Sequence, residues 1–161
     1  MKVLFTEKQK FNQWWLWVLL LGVTCLAGYG VYAMFYQAGQ VGSEKVSGVT
    51  VIFTVGMVLI LLLLFLMLKL TTTIDEQGVH IRYFPFVRRS IAWNEVEKAA
   101  VIDYGFVGGW GIRLKTKYGT VYNVSGRIGL HLELKDGSQL VVGTQQQDEL
   151  SQVISELQAR S

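Results

Sequence analysis

The chain has a single cysteine and a single proline. One thiol, Cys25, builds no disulfide framework and no cysteine-based metal site, which suits a reducing compartment. With one proline and 51% hydrophobic residues, the chain is too apolar for a disordered polymer, and its 161 residues are too few for several large domains. Only two histidines occur, His80 and His131, neither beside a cysteine or a ligand-spaced carboxylate. No metal site or cofactor is expected. The most informative absence is of charge. No Asp, Glu, Lys, Arg or His lies between Trp14 and Tyr36 or between Val46 and Leu68.

What fills those two gaps is apolar. Each run is 23 residues long, and about 20 suffice to cross the hydrocarbon core of a bilayer. Residues 14–36 and 46–68 are therefore predicted to be transmembrane helices, joined by a short loop, 37–45. The WWLW cluster, Trp14 to Trp17, and the length of the first run fit a retained helix better than a cleaved leader. Trp14, Trp15 and Trp17 suit one membrane interface, and Tyr32 and Tyr36 the other. Lys2, Lys8, Lys10, Lys69, Arg82, Arg88 and Arg89 flank one side of the pair, and only Lys45 the other. That bias predicts a protein of the bacterial inner (cytoplasmic) membrane with the 37–45 loop outside. The basic tail 1–13 and a domain over 69–161 would both be cytoplasmic.

The net charge of +3 does not signal nucleic acid. Residues 70–161 hold ten basic and ten acidic residues, so the surplus comes from the N-terminal tail (+2) and Lys69 (+1). Cations beside a membrane meet anionic headgroups, so the lipid bilayer is the expected partner. No nucleic-acid partner is expected, because that would need a basic face on the soluble domain.

After Leu68 the apolar period changes to two. Val79, Ile81 and Tyr83, then Ile91 and Trp93, Ile112 and Leu114, and Leu130, Leu132 and Leu134 alternate with polar or small residues. Each set predicts a strand with one buried face. The turns DEQG, KYGT and KDGS separate them, and Asp136–Gly137 predicts a type I′ hairpin. Pro85 ends or bends a strand. About seven strands result. A final amphipathic helix carries Leu150, Val153, Ile154 and Leu157 on one face, with Thr144 and Gln147 as a capping box.

The segments SIAWNEVEKAAVIDYGFVGGWGIR, VYNVSG, GLHLELKDG and LVVGTQ resemble uncharacterised bacterial membrane proteins that pair two N-terminal spans with a pleckstrin-homology-like (PH-like) domain. The likeness covers nearly all of residues 70–161, and departs at Gln147, where such proteins often carry proline. It implies a membrane-anchored α+β protein, its two transmembrane helices followed by an antiparallel β-barrel of about seven strands closed by the C-terminal helix. It implies no activity, because fold alone supplies none.

In GFVGGWGIRLK the glycines lead into a strand rather than a helix, and no Lys-Ser/Thr follows, which argues against a phosphate loop. They suit a strand corner capped by Trp110. A pocket is the alternative, with Trp110, Arg113, Asn123, Ser125 and Arg127 converging from the GGWGIR and NVSG loops as a ligand or partner site. PH domains that bind phosphoinositides use basic residues at their first hairpin, whereas that turn here, DEQG, is acidic. Membrane-surface contact would fall instead to Lys69, Phe84, Phe86, Arg88 and Arg89. Ser125 and Ser138 have no recognisable base-and-acid context, so no catalytic residue is assigned. The expected function is non-enzymatic, an adaptor at the cytoplasmic membrane face serving a protein partner or a second copy, with lipid or small-ligand sensing as the alternative.

Overall fold

The structure is a computed structural model that describes residues 2–41 and 48–160. It divides into two compact units, one of residues 11–67 and one of residues 1–10 with 68–161.

The first unit is a pair of helices, α1 (Trp14–Val41) and α2 (Gly48–Met67). Within them Trp14–Tyr36 and Gly48–Met67 are long and apolar enough to cross a membrane. Phe11 meets Phe65 edge-on at 6.2 Å, while Thr24 and Gly28 share a cavity with Val55 and Leu59. The helices therefore run antiparallel, with small residues of α1 toward α2. Their outward side chains are widely exposed, among them Ile52 and Phe53. The expected 37–45 loop is part helix, since 37–41 continue α1, and its remainder, with Val46 and Ser47, lies outside the described residues.

The second unit holds two sheets. Sheet A runs in the order β1 (Val3–Lys10), β2 (Lys69–Asp75), β3 (Gly78–Phe84) and β4 (Val87–Ala92), all antiparallel. A 3-10 turn, Trp93–Glu95, leads into sheet B. There the order is β5 (Val96–Asp103), β8 (Ile128–Leu134), β9 (Gln139–Gly143), β7 (Gly119–Asn123) and β6 (Gly111–Thr116). Helix α3 (Gln147–Arg160) packs on β5, β8 and β1.

The barrel expectation is overturned. Neither sheet closes: one has four strands and the other five. Closure would need β4 to pair with β5, but the Trp93–Glu95 turn re-aims the chain between them. Nor is the unit wholly antiparallel, because β9 inserts beside β7 in parallel register. The strand count rises to nine among the described residues. One of the additional strands is β1, formed by residues read from sequence as a basic tail.

β1 belongs there for a physical reason. In VLFTEKQK, Phe5, Glu7 and Gln9 face inward and Thr6, Lys8 and Lys10 outward. Both buried polar side chains bond to the segment that follows β9 or ends it, Glu7 through both carboxylate oxygens and Gln9 through its amide N–H. Glu7 accepts from the Thr144 hydroxyl at 2.6 Å and the Gln145 N–H at 2.8 Å, and Gln9 donates to the Gly143 carbonyl at 2.7 Å. Bonds of this kind offset most of the cost of burying polar groups, although Gln9 Oε1 is left without a partner among the described residues. Leu70, Ile74, Val79, Ile81 and Ile91 of sheet A, and Leu130, Leu132 and Leu140 of sheet B, supply the apolar core. Leu150 and Ile154 of α3 are buried as their spacing predicts.

Three local expectations change. Thr144 accepts from the Gln146 N–H and donates to Glu7, so it forms a turn ahead of α3 rather than a capping box with Gln147. The Asp136–Gly137 turn has positive φ at Gly137 only, which gives a loop with one left-handed residue instead of type I′. In β6, Leu114 is 69% exposed while Arg113 is half-buried. An irregular register between Arg113 and Thr116, with Lys115 at φ 57°, reverses the alternation read from sequence.

Candidate functional site

The glycine-rich loop covers the second face of sheet B. Tyr104, Val121 and Val141 form a small buried cluster, and Val107 and Tyr118 pack against it. The loop thus closes a satellite core, which answers what its glycines are for. Gly109 has φ 129°, a backbone conformation that side-chain-bearing residues rarely adopt, and the movable Arg113 guanidinium lies over it. The Trp110 indole is 38% exposed and meets the Phe106 ring edge-on at 6.5 Å. Phe106 itself is 80% exposed.

The five residues proposed for this pocket have separate occupations. Asn123 is buried and donates to the Tyr104 hydroxyl at 3.2 Å, beneath the loop. Burial pushes the Tyr104 pKa up, against the lowering effect of Asn123, and the Asp103 charge adds to the rise. Arg113 lies over Gly109. Ser125 accepts from the Gln145 side-chain amide. Arg127 makes a bidentate ion pair with Asp103, with contacts of 2.7 to 3.0 Å. That hydrogen bond, foremost, holds the Asp103 carboxyl below its ordinary value. Arg113 and Asn123 thus meet around Gly109, while Ser125 and Arg127 serve neighbouring segments.

Sheet A carries a hydrogen-bonded chain that sequence spacing missed. His80 Nδ1 lies 2.9 Å from Ser90 Oγ, and its Nε2 lies 3.1 Å from Asp75 Oδ2. Asp75 is buried and also accepts from the Gln77 and Gly78 N–H groups. Burial opposes its ionisation, but these two backbone bonds and the nearby imidazole outweigh that and lower its pKa. The Trp93 indole N–H donates to the Asp75 carbonyl at 2.9 Å. The signal was the register His80↔Ser90, legible only after β3 and β4 are paired. Serine, imidazole and carboxylate in line form the proton path of a hydrolase triad. Here, though, Ser90 stands on an open sheet face, and the chain fastens the β2–β3 turn.

A groove of about 390 Å³ lies between α3 and β5, lined by Trp93, Val96, Glu97, Lys98 and Ala99 on one side and by Ile154, Leu157 and Gln158 of α3 on the other. β5 is an edge strand. Tyr104 donates its N–H toward Arg127, on the β8 side. By alternation, Ala99, Val101 and Asp103 turn their backbone groups outward. Gln158 Nε2 takes the Ala99 carbonyl at 2.8 Å, which accords with that orientation.

No protein-family model, curated protein or solved structure matches this chain. None of the three comparisons supports the expected resemblance to PH-like proteins. Among the described residues no group of three His, Cys, Asp or Glu side chains is placed to hold a metal ion. His131, expected on an outward face, has its side chain only 12% exposed, against the Tyr118 ring.

The membrane-contact set divides by face. Lys69 pairs with Phe84 across the ladder, and the Arg82 guanidinium lies 5.5 Å from the Phe84 ring centre. Phe86, 60% exposed, is in the β3–β4 turn, and Arg88 points outward. Arg89 points to the opposite face, where its charge adds to the Ser138 hydrogen bonds that lower the Asp136 pKa.

Proposed function

We propose that the protein is a non-enzymatic membrane-anchored adaptor whose β unit takes up an extended segment of a partner protein along the free edge of β5, under α3. The observation that carries this is the groove under α3 along residues 93–99, at the start of an edge strand whose backbone groups turn outward further on, at Val101 and Asp103. A peptide laid there gains ladder hydrogen bonds from the edge and apolar contact from Ile154 and Leu157. Trp93, held by its bond to Asp75, offers a rigid aromatic wall, the kind of anchor on which interfaces concentrate their energy. Glu97 and Lys98, which also line the groove, put charge of both signs beside the edge and so favour a partner that matches them over indiscriminate pairing.

The membrane setting has its own support. The apolar windows of α1 and α2 are only 6% buried, unlike core helices of a soluble protein, and so much exposed apolar surface calls for lipid. β1 precedes both helices and β2 follows them, and the two strands share one ladder from Val3↔Asp75 to Lys10↔Lys69. An even number of crossings between them keeps both on one side, which the basic bias makes the cytoplasmic side of a bacterial inner membrane. The ligand-sensing alternative draws on the exposed Phe106 and Trp110 but has less support, because Ser125 and Arg127 are already engaged.

A photo-crosslinking residue at Glu97, in the full-length protein in its native membrane, tests the adaptor reading. The expected result is attachment to a defined peptide of one partner, abolished by Leu157→Arg and absent with the crosslinker at Lys117. Attachment that persists with the groove blocked, or none above the Lys117 control, overturns it.

A further inference from the structure

Folding β1 into sheet A changes where the protein's charge resides. The +3 surplus, assigned from sequence to a tail and a juxtamembrane lysine, belongs wholly to the β unit: residues 1–10 bring +2, Lys69 +1, and 70–161 nothing. It gathers on one surface. Strand alternation sends Lys8 and Lys10 of β1, Lys69 of β2, Arg82 of β3 and Arg88 of β4 to the outer face of sheet A. The acids of these strands are elsewhere, with Glu7 turned inward and Asp75 buried at the far end beside His80.

The register orders the cations in two rows. One runs Lys8, Thr71, Arg82, Arg88 across all four strands, and the next runs Lys10, Lys69, Phe84. Strands about 4.8 Å apart and alternate residues about 6.7 Å apart put each cation within roughly a Debye length of the next. Arg82 faces Arg88, and Lys10 faces Lys69, directly across the ladder. Like charges so opposed weaken a sheet. Among the described residues none of the five has an ion-pair partner. Such an arrangement disfavours the isolated fold and is relieved by an anionic partner.

We infer that the outer face of sheet A is a docking surface for the anionic headgroups of the membrane that holds α1 and α2. This rests on the membrane reading above. Position selects lipid over other polyanions. Lys10 stands four residues before Trp14, Lys69 two residues after Met67, and the row they form ends at Phe84 and the exposed Phe86. Cations beside an exposed aromatic ring, at the strand ends that continue into apolar helices, match the boundary of headgroups and acyl chains. Lys8, Lys10 and Arg82 thereby join Lys69, Arg88, Phe84 and Phe86, while Arg89 leaves the set because it faces inward.

The test is lysine acylation of the full chain reconstituted in nanodiscs of zwitterionic lipid, with and without anionic phosphatidylglycerol. Lys8, Lys10 and Lys69 are expected to react about fivefold more slowly in the anionic discs, with Lys117 of the β6–β7 turn unchanged and the difference erased near 1 M salt. Arg82→Gln with Arg88→Gln should reduce the protection, and Arg82→Lys with Arg88→Lys should keep it. Equal reactivity in both discs overturns the inference and leaves the membrane reading intact. Failure of the chain to incorporate into either disc overturns both. Greater protection by an oligonucleotide in zwitterionic discs than by anionic lipid assigns the face to nucleic acid and overturns the inference.

Discussion

Sheets A and B handle their second faces in opposite ways. Sheet B is covered on both sides by its own chain, through the core on one face and the glycine-rich loop on the other. Sheet A has its inner face buried and its outer face given to cations and threonines. What sheet B has left to offer is an edge, β5, and what sheet A has left is a surface. The two proposed roles follow from that difference: an edge suits an extended peptide, and a charged face suits a plane of headgroups.

The sharpest way to break the comparison is to remove β1. Deleting residues 2–10 strips sheet A of an edge strand, two cations of its outer face, and the partners of Thr144 and Gly143. The β unit is expected to lose cooperative unfolding altogether, followed by circular dichroism in detergent; an unchanged melt would show that sheet B folds without it. Next in size, Glu7→Ala removes two charge-assisted bonds and leaves the Thr144 hydroxyl and Gln145 N–H unpaired. A loss of about 2–3 kcal/mol is expected in denaturant unfolding.

A smaller effect is expected at Asp75, and it depends on pH. Its folded-state pKa lies below the ordinary 3.8, so its contribution is full above that value and is lost as pH falls through the lowered one. Asp75→Asn should flatten the acid limb of the stability profile below about pH 4. The smallest effect has the opposite sign. Arg88→Gln relieves the Arg82↔Arg88 opposition and should raise stability in zwitterionic detergent by a few tenths of a kcal/mol, about what such cross-strand pairs contribute. Together these separate the cost of the cationic face from the strength of the core beneath it.

Much of this was legible in the sequence because it depends on local periodicity. Val79, Ile81 and Tyr83, the Leu130–Leu134 alternation, the α3 stripe and both apolar helices are patterns of period two or 3.6 in contiguous residues. What escaped depends on pairing between distant segments. VLFTEKQK alternates like a strand, but its buried positions include Glu7 and Gln9, whose partners lie more than 130 residues away. Leu114 misled because an irregular edge strand inverts its own alternation. The barrel failed for a similar reason, since closure depends on which edges meet and the Trp93–Glu95 turn keeps β4 and β5 apart. Ser90, His80 and Asp75 come together only through the β3–β4 register and the Asp75 turn.

The bond between Glu7 and Thr144 also sets an order of events during synthesis, because its two ends are 137 residues apart. At ordinary translation speeds the first partner waits on the order of ten seconds for the second. In that interval α1 and α2 are made first, and Arg82 and Arg88 follow well before Thr144. The β unit therefore closes only after both apolar helices have been made, so its maturation reports that the whole helical pair has been synthesised.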